Sequence, residues 1–101
     1  MIKGIGCDIV EHKRVNLKIA SKVLSKNELE TFEKSNQKVE FLASRFAVKE
    51  AIVKATNKQY LISEIEILKD EDGRAYTNIE GMNISISHEK NYSIAMAVWE
   101  D

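Results

Sequence analysis

The sequence predicts an α+β fold, a mostly antiparallel sheet with helices packed to one side. Two observations predict it. Stretches near both ends of the chain alternate between apolar and polar residues, as half-buried strands do. Between them lies a helical stretch, residues 41–55, without glycine or proline. The 101 residues are expected to form a single domain, residues 1–101, with a modest core, so burial of further surface in an oligomer would add stability.

Composition excludes several classes of protein. A hydrophobic content of 44% and a charged content of 31% are ordinary for a globular domain. The net charge of -1 argues against bulk binding of nucleic acid. Cys7 is the only cysteine, so neither a disulfide framework nor a cysteine-based zinc site is expected. No apolar run approaches the ~20 residues of a membrane span and no signal-peptide pattern is present, so the expected location is the cytoplasm.

The first strand is predicted for residues 2–10, where the pattern has a period of two. One face carries Ile5, Cys7 and Ile9, and the other carries Gly4, Gly6, Asp8 and Val10. Two glycines on the face of Asp8 leave room for a ligand or for another stretch of backbone. Asp8 is therefore a candidate functional acid, and the alternative is that it caps the strand at a turn.

A basic helix is predicted for residues 13–23, with Arg14, Lys18 and Lys22 spaced as i, i+4 and i+8. Such a stripe is commonly a solvated face. Like charges at this spacing repel, however, and an acidic partner would relieve the repulsion. The first 26 residues hold six basic side chains against two acids, which also favours an acidic partner.

The next helix is predicted to begin at Ser25, because Ser25 and Glu28 match the capping-box pattern. Leu29 and Phe32 are expected to pack inward. The polar residues 34–38 are expected to separate this helix from the central one.

The central helix, residues 41–55, is predicted to be largely buried, because apolar side chains cover most of its circumference. It nevertheless contains four charged side chains, Arg45, Lys49, Glu50 and Lys54. At ~100° per residue, Ala43 and Ala47 share one narrow face with Glu50 and Lys54, and the alanines are expected to leave open space beside the two charges. A carboxylate and an amine presented to a ligand would explain the pattern; an i, i+4 pair on a solvated edge is the alternative.

Two hairpins are predicted to complete the sheet. Residues 62–69 and 76–79 form the first, joined by a turn that ends at Gly73, with Ile65 and Ile67 on one face. Residues 83–88 and 92–99 form the second.

His88 ends a strand whose other face carries Asn83, Ser85 and Ser87. Such a histidine is commonly an ordinary surface residue. As a functional group it could donate to a phosphate or take up a proton.

Three motifs in this order resemble the holo-acyl-carrier-protein synthase family of 4'-phosphopantetheinyl transferases. The family has GxD near the N-terminus, a KEAxxKA helix in the middle and a (V/I)S(I/L)(S/T)H strand near the C-terminus. The corresponding segments here are GIGCD at 4–8, followed by Lys13 and Arg14, then FLASRFAVKEAIVKA at 41–55 and ISISH at 84–88.

The resemblance implies transfer of 4'-phosphopantetheine from coenzyme A to a serine of apo acyl carrier protein, an activity of fatty acid biosynthesis. Asp8 and Glu50 would be the Mg²⁺ ligands, which suits the preference of this ion for carboxylate and phosphate oxygens. Glu50, or a water that it shares with the metal, would take the serine proton. Lys54 would bind a phosphate oxygen. The positions that would contact coenzyme A are Arg45, Lys54, Gly73, Arg74 and His88.

The resemblance also implies a homotrimer with active sites between subunits, in which His88 faces Asp8 and Glu50 of a different copy. Arg14, Lys18 and Lys22 would dock the acidic carrier protein. Three departures bear on the nucleotide pocket and the trimer interface. The usual glycine-containing loop is replaced by residues 56–60, the usual proline by Ala75, and the connection at 80–83 is shorter than the family's.

Two other functions fit some of these residues. A metal-dependent phosphodiesterase or nuclease would also use an Asp, a Glu and a Lys, but the chain lacks a compact acidic cluster and its charge does not suit a polyanion. A non-catalytic module could bind an acidic partner through the basic helix, but that function would leave Glu50 and Lys54 unexplained.

Overall fold

The computed structural model describes residues 1–101 as five strands, three α-helices and three single turns of 3-10 helix. The strands are β1 (Ile2–Glu11), β2 (Ile67–Lys69), β3 (Ala75–Thr77), β4 (Met82–His88) and β5 (Tyr92–Glu100). The helices are α1 (Ala20–Val23), α2 (Lys26–Lys34) and α3 (Lys38–Thr56). The 3-10 turns are His12–Arg14, Leu17–Ile19 and Ile62–Glu64.

All strand pairs are antiparallel, which confirms the predicted class, but they form two sheets instead of one. The larger sheet has the order β1-β5-β4, and β2 pairs only with β3. Between β3 and β4 the chain turns at Gly81, whose φ of 77° is readily adopted only by glycine. The second predicted hairpin is confirmed. In the first, β2 is shorter than predicted because residues 62–64 form a 3-10 turn.

Helix α3 crosses the inner face of the larger sheet in close contact with β1. A Cβ atom on Gly4 would collide with the carbonyl oxygen of Ala55, and one on Gly6 with that of Ala51. The room that the two glycines leave on the face of Asp8 is therefore occupied by helix backbone, one of the two alternatives that the sequence allowed. Glycine at these positions lets the helix lie directly on the strand.

The prediction that the central helix is largely buried is confirmed, since ten of its nineteen residues are buried. The expected open space beside Ala43 and Ala47 is wrong, because both alanines are fully buried. Their small side chains face the protein interior, whereas Lys54 is exposed. The main core cluster consists of Ala47, Val48, Ala51, Ile52, Ala55, Ile65, Ile67, Met82, Ala95 and Ala97.

Helix α2 begins as predicted with a complete capping box. The side chain of Ser25 accepts a hydrogen bond from the backbone of Glu28, and the Glu28 carboxylate accepts one from the backbone of Ser25. Phe32 is buried and Leu29 packs against the same smaller cluster. This cluster joins α1 and α2 to the first half of α3.

The predicted basic helix at 13–23 is wrong. The segment contains two 3-10 turns, followed by α1, which has only four residues. Val15 and Asn16 are extended, and the Asn16 side chain accepts a hydrogen bond from the backbone of Lys18. This local bond competes with helix formation, as asparagine side chains commonly do. None of the helices in the chain is both long and apolar enough to span a membrane.

Candidate active site

A cavity of about 750 Å³ lies between the first half of α3, α2, the β2–β3 hairpin and β4. Four of the five positions predicted to contact coenzyme A line it: Arg45, Gly73, Arg74 and His88. Its other charged lining residues are Glu28, Glu40 and Lys69. The lining therefore has three Lys or Arg side chains against two Glu, with His88 in addition, although the whole chain has a net charge of -1. An excess of positive charge in a concave site suits an anionic ligand.

Arg45 is held in the cavity wall with part of its hydrogen-bonding capacity unused. Its side chain is only 11% exposed, and its guanidinium lies 4.4 Å from the centroid of the Phe41 ring. The Nε atom lies 4.0 Å from Glu28 Oε2 and is the one buried side-chain polar atom without a hydrogen-bond partner. Burial lowers the pKa of Arg45, and the charge of Glu28 partly opposes this effect. A bound anion could accept from the terminal N–H groups of the guanidinium, whereas the buried Nε would stay unpaired.

A buried ion pair between Glu28 and Lys49 supports this wall. Lys49 Nζ contacts Glu28 Oε1 and donates a hydrogen bond of 2.7 Å to the carbonyl oxygen of Val23. The backbone N–H groups of Ser25 and Ile67 also donate to the Glu28 carboxylate, at 2.7 and 2.9 Å. Burial lowers the pKa of Lys49, while the hydrogen bond and charge of Glu28 raise it. The pair joins α2, α3 and β2.

The sequence indicated a role for each of these two residues but did not predict that they form a pair. Lys49 was one of four charges on a buried helix, and Glu28 was predicted as a cap. Because Glu28 and Lys49 lie 21 positions apart and the contact is tertiary, no local pattern could reveal it.

The predicted metal ligands lie apart from the cavity, at the edge where α3 meets β1. Lys54 Nζ lies 3.1 Å from Asp8 Oδ1 and donates to the Cys7 carbonyl oxygen at 3.0 Å. Glu50 is half-buried, makes no hydrogen bond or ion pair within the chain, and precedes Lys54 by one turn on the same side of the helix. The contacts of Gly4 and Gly6 run antiparallel along α3, so Asp8 comes next to the turn that carries Glu50.

The structure thus brings Asp8 and Lys54 into direct contact and places Glu50 on the same edge. None of the three lines the cavity that holds Arg45 and His88. No group of three or more His, Cys, Asp or Glu side chains is arranged to hold a metal ion without other ligands.

Comparison with known proteins identifies the family. Residues 4–97 match the sequence pattern of a family described as the 4'-phosphopantetheinyl transferase superfamily. The chain belongs to this family. A holo-[acyl-carrier-protein] synthase of Mycoplasma capricolum is 46% identical in an alignment that covers 97% of this chain and 94% of that protein. A holo-[acyl-carrier-protein] synthase of Listeria monocytogenes is 38% identical in an alignment that covers 99% of either chain.

Solved structures of transferases in this family share the fold. A holo-(acyl-carrier-protein) synthase from Bacillus anthracis, crystallised in complex with CoA (3',5'-ADP), superposes with a TM-score of 0.89 at 32% identity, covering 98% of this chain and 96% of that one. The synthase from Neisseria meningitidis gives a TM-score of 0.90 at 30% identity and covers all of both chains. The resemblance drawn from the three motifs is confirmed, and so is the fold class.

In this member of the family, the three side chains predicted to dock a carrier protein are all exposed. Arg14, Lys18 and Lys22 belong to different short elements, and none forms an ion pair within the chain. The predicted helical alignment is absent, but three uncompensated positive charges remain in one segment of nine residues.

The outer face of the larger sheet is apolar and uncovered. Ile5 and Ile9 on β1 are 66% and 60% exposed, and Ile94 and Met96 on β5 are 38% and 44% exposed. The register pairs Ile9 with Ile94 and Cys7 with Met96, so these side chains form one continuous surface. A contiguous apolar surface of this kind marks an interaction site.

Proposed function

We propose that the chain transfers the 4'-phosphopantetheine group from coenzyme A to a serine hydroxyl of an apo acyl carrier protein, with release of adenosine 3',5'-bisphosphate. The observation that carries this proposal is the positively charged cavity that gathers Arg45, Gly73, Arg74 and His88. Its charge suits the phosphates of the nucleotide. The related Bacillus anthracis synthase carries CoA (3',5'-ADP), a ligand of the same chemistry.

The carboxylates of Asp8 and Glu50 fit a Mg²⁺ ion. This ion is usually bound by one or two carboxylates together with waters and substrate phosphates. Glu50 has no other partner within the chain, and Asp8 is held by an ammonium group that is itself half-exposed. Two carboxylates without a third protein ligand would leave room for phosphate oxygens. When bound, the ion would neutralise charge that develops on those oxygens during transfer.

The positions of the side chains support the other proposed roles. Lys54 Nζ is close to Asp8 and 53% of its side chain is exposed, so it can donate to a pyrophosphate oxygen at the metal site. Glu50, directly or through a water, accepts the proton of the attacking serine. Arg45 and Arg74 bind the nucleotide phosphates from the cavity wall, and His88 contacts the nucleotide from the end of β4.

A homotrimer would complete the site. On one copy, the nucleotide cavity and the acids Asp8 and Glu50 are separate, so a site between copies can place His88 of one subunit opposite both acids of another. The apolar outer face of the larger sheet supplies a surface for this assembly. The test is analytical ultracentrifugation, in which the wild type should sediment at three times 11.5 kDa. The variant Ile5→Asp should be monomeric and inactive.

Arg14, Lys18 and Lys22 form the docking site for the carrier protein. Opposite charges on the two partners would chiefly accelerate encounter and select the partner. We place the protein in the cytoplasm, where a free thiol such as Cys7 stays reduced, and treat residues 1–101 as one functional domain.

The deciding experiment is intact mass spectrometry of an apo acyl carrier protein incubated with the chain, coenzyme A and Mg²⁺. We expect a mass gain of one phosphopantetheine group, and no gain when EDTA is present. A gain that persists in EDTA would refute the metal assignment alone. Absence of any gain with several carrier proteins, while the protein is folded, would refute the transfer reaction and favour a binding module. Cleavage of a phosphodiester substrate would identify a phosphodiesterase.

A further inference from the structure

The first turns of α3 make two matched polar contacts with the end of the larger sheet. Glu40 and Ser44 lie one turn apart and so share a face of the helix. Glu40 Oε1 lies 3.3 Å from His88 Nε2, and Ser44 Oγ lies 2.9 Å from Ser93 Oγ. His88 and Ser93 are themselves paired across β4 and β5. Two adjacent helix positions therefore meet two adjacent strand positions.

The Ser93 contact is fixed from behind by His12. His12 Nε2 lies 2.8 Å from Ser93 Oγ, and His12 Nδ1 lies 3.0 Å from the carbonyl oxygen of Lys90. A carbonyl oxygen can only accept, so Nδ1 carries the hydrogen and neutral His12 accepts from Ser93. Ser93 is fully buried. This chain of hydrogen bonds fixes the start of α3 against the sheet, and with it the position of Glu40.

His88 has one ring nitrogen beside an acid and one open. Nε2 lies 3.3 Å from Glu40 Oε1, within reach of electrostatic attraction although the N–H is not aligned for a hydrogen bond. Nδ1 makes no hydrogen bond within the chain, and half of the side chain is exposed. Both residues line the cavity that contains Arg45 and Arg74. Nδ1 is thus the atom that His88 can offer to a ligand.

We infer that Glu40 is a positioning residue for substrate binding, which holds His88 by Nε2 so that Nδ1 faces the nucleotide half of coenzyme A. This inference rests on the proposed function and assigns a role to an acid that the sequence did not single out. Glu40 is an acid in a cavity for anions, and by its charge alone it would weaken binding. Positioning of His88 would strengthen ligand binding, whereas the negative charge of Glu40 would weaken it. Removing the carboxylate therefore shows which of the two effects is larger.

The experiment measures the dissociation constant of adenosine 3',5'-bisphosphate by titration calorimetry, together with kcat and the KM for coenzyme A. The variants are Glu40→Ala, Glu40→Gln, His88→Ala and the double variant Glu40→Ala/His88→Ala. Glu33→Ala is the matched control, because Glu33 is an exposed glutamate on α2 that does not line the cavity. Thermal unfolding checks that each variant is folded.

For Glu40→Ala we expect the dissociation constant and KM to rise about two- to fivefold, the effect of one partly exposed contact between a carboxylate and an imidazole, with kcat unchanged. Glu40→Gln keeps a polar group of the same size beside Nε2 without the charge and should restore part of the affinity. In the His88→Ala background, the loss of Glu40 should no longer weaken binding, because only its unfavourable charge is then removed; coupled residues are not additive.

Three results would overturn the inference while the wild type remains active: unchanged affinity in Glu40→Ala, tighter binding in that variant, or effects of the two single substitutions that add. If the wild type itself transfers no phosphopantetheine, the proposed function fails, and this inference fails with it. The wild-type mass spectrum, recorded before any variant is made, separates the two cases.

Discussion

Lys49 and Lys54 lie five positions apart on α3 and occupy opposite environments. The Lys49 side chain is fully buried, and its partner Glu28 also accepts hydrogen bonds from the backbone of Ser25 and Ile67. The Lys54 side chain is 53% exposed and binds an aspartate that is itself reachable from solvent. The first lysine is committed to the fold and the second is available to a ligand. A charged residue on a buried helix therefore indicates function only when its partner is not already fully hydrogen-bonded within the protein.

The largest expected effect concerns the exposed end of α3. Glu50→Gln removes the group proposed to take the serine proton and should lower kcat by about 10²–10⁴-fold. Asp8→Asn should be similarly damaging, because it removes the other proposed metal ligand. Both side chains lie at an accessible edge, so the midpoint of urea unfolding should stay the same. Wild-type turnover in either variant would show that this end of the helix is not the catalytic one.

Substitution of Lys49, at the buried part of α3, should lower the free energy of unfolding. Lys49→Met removes the donor to both the Glu28 carboxylate and the Val23 carbonyl oxygen and leaves Glu28 with only Arg45, at 4.0 Å. Breaking a buried ion pair from one side costs about 3–5 kcal/mol of unfolding free energy. Lys54→Met is the matched control and should cost no more than about 1 kcal/mol, because its pair is largely exposed. Urea unfolding measures both.

Only partial recovery is expected in Lys49→Met/Glu28→Gln: the buried carboxylate charge is gone and the amide oxygen can still accept from the backbone, but Arg45 loses its counter-charge. Equal losses of stability in the two methionine variants would abolish the distinction between the lysines.

The contact between α3 and β1 should affect both the stability of the fold and the position of Asp8 relative to Glu50. In Gly6→Ala, the new methyl group would collide with the Ala51 carbonyl oxygen, so the helix must move away from the strand. Overpacking of this kind costs about 1–3 kcal/mol. The displacement should also separate Asp8 from Glu50, so activity should fall in molecules that remain folded at low temperature. A folded variant with full activity would show that the acids do not depend on this contact.

The sequence predicted the parts of the fold that depend on local periodicity. The central helix, predicted for 41–55 and observed at 38–56, the capping box at Ser25 and the hairpin of β4 and β5 all have patterns contained within one or two elements. The basic helix failed because the Asn16 side chain bonds locally and interrupts it. The spacing of charged residues gives no indication of a hydrogen bond between a side chain and the nearby backbone.

For the candidate site too, the sequence predicted residues that belong to local motifs but not the tertiary contacts between them. The sequence singled out Asp8, Glu50 and Lys54, and four positions that it predicted to contact coenzyme A, Arg45, Gly73, Arg74 and His88, line one cavity. The contacts that position them were not predictable. His12 and Ser93 are 81 positions apart, and Glu28 and Ile67 are 39 apart. Only the tertiary fold brings such pairs together.

The segment that contains Arg14 and Lys18 offers a third environment, since its charges are exposed and unpaired. Reversing both charges, in Arg14→Glu/Lys18→Glu, should raise the KM for carrier protein several-fold and leave the KM for coenzyme A unchanged. The effect should be larger at low salt, where exposed charges are less screened. A change confined to coenzyme A would refute the docking proposal, and unchanged kinetics would show that the segment is only a solvated surface.

The smallest expected effect is the pH dependence that Lys49 confers. Burial lowers the pKa of Lys49 below its ordinary value of 10.5, an effect that Glu28 only partly reverses. Between the folded-state pKa and 10.5, the unfolded chain therefore binds more protons at this site than the folded protein does. The Lys49 contribution to the unfolding free energy must then rise with pH through that window, and it has no slope below it, where both states are protonated. Urea unfolding of the wild type and Lys49→Met over this range should show a difference that grows with pH. A difference that falls instead would mean that Glu28 more than compensates for burial, and that the buried ammonium is itself stabilising.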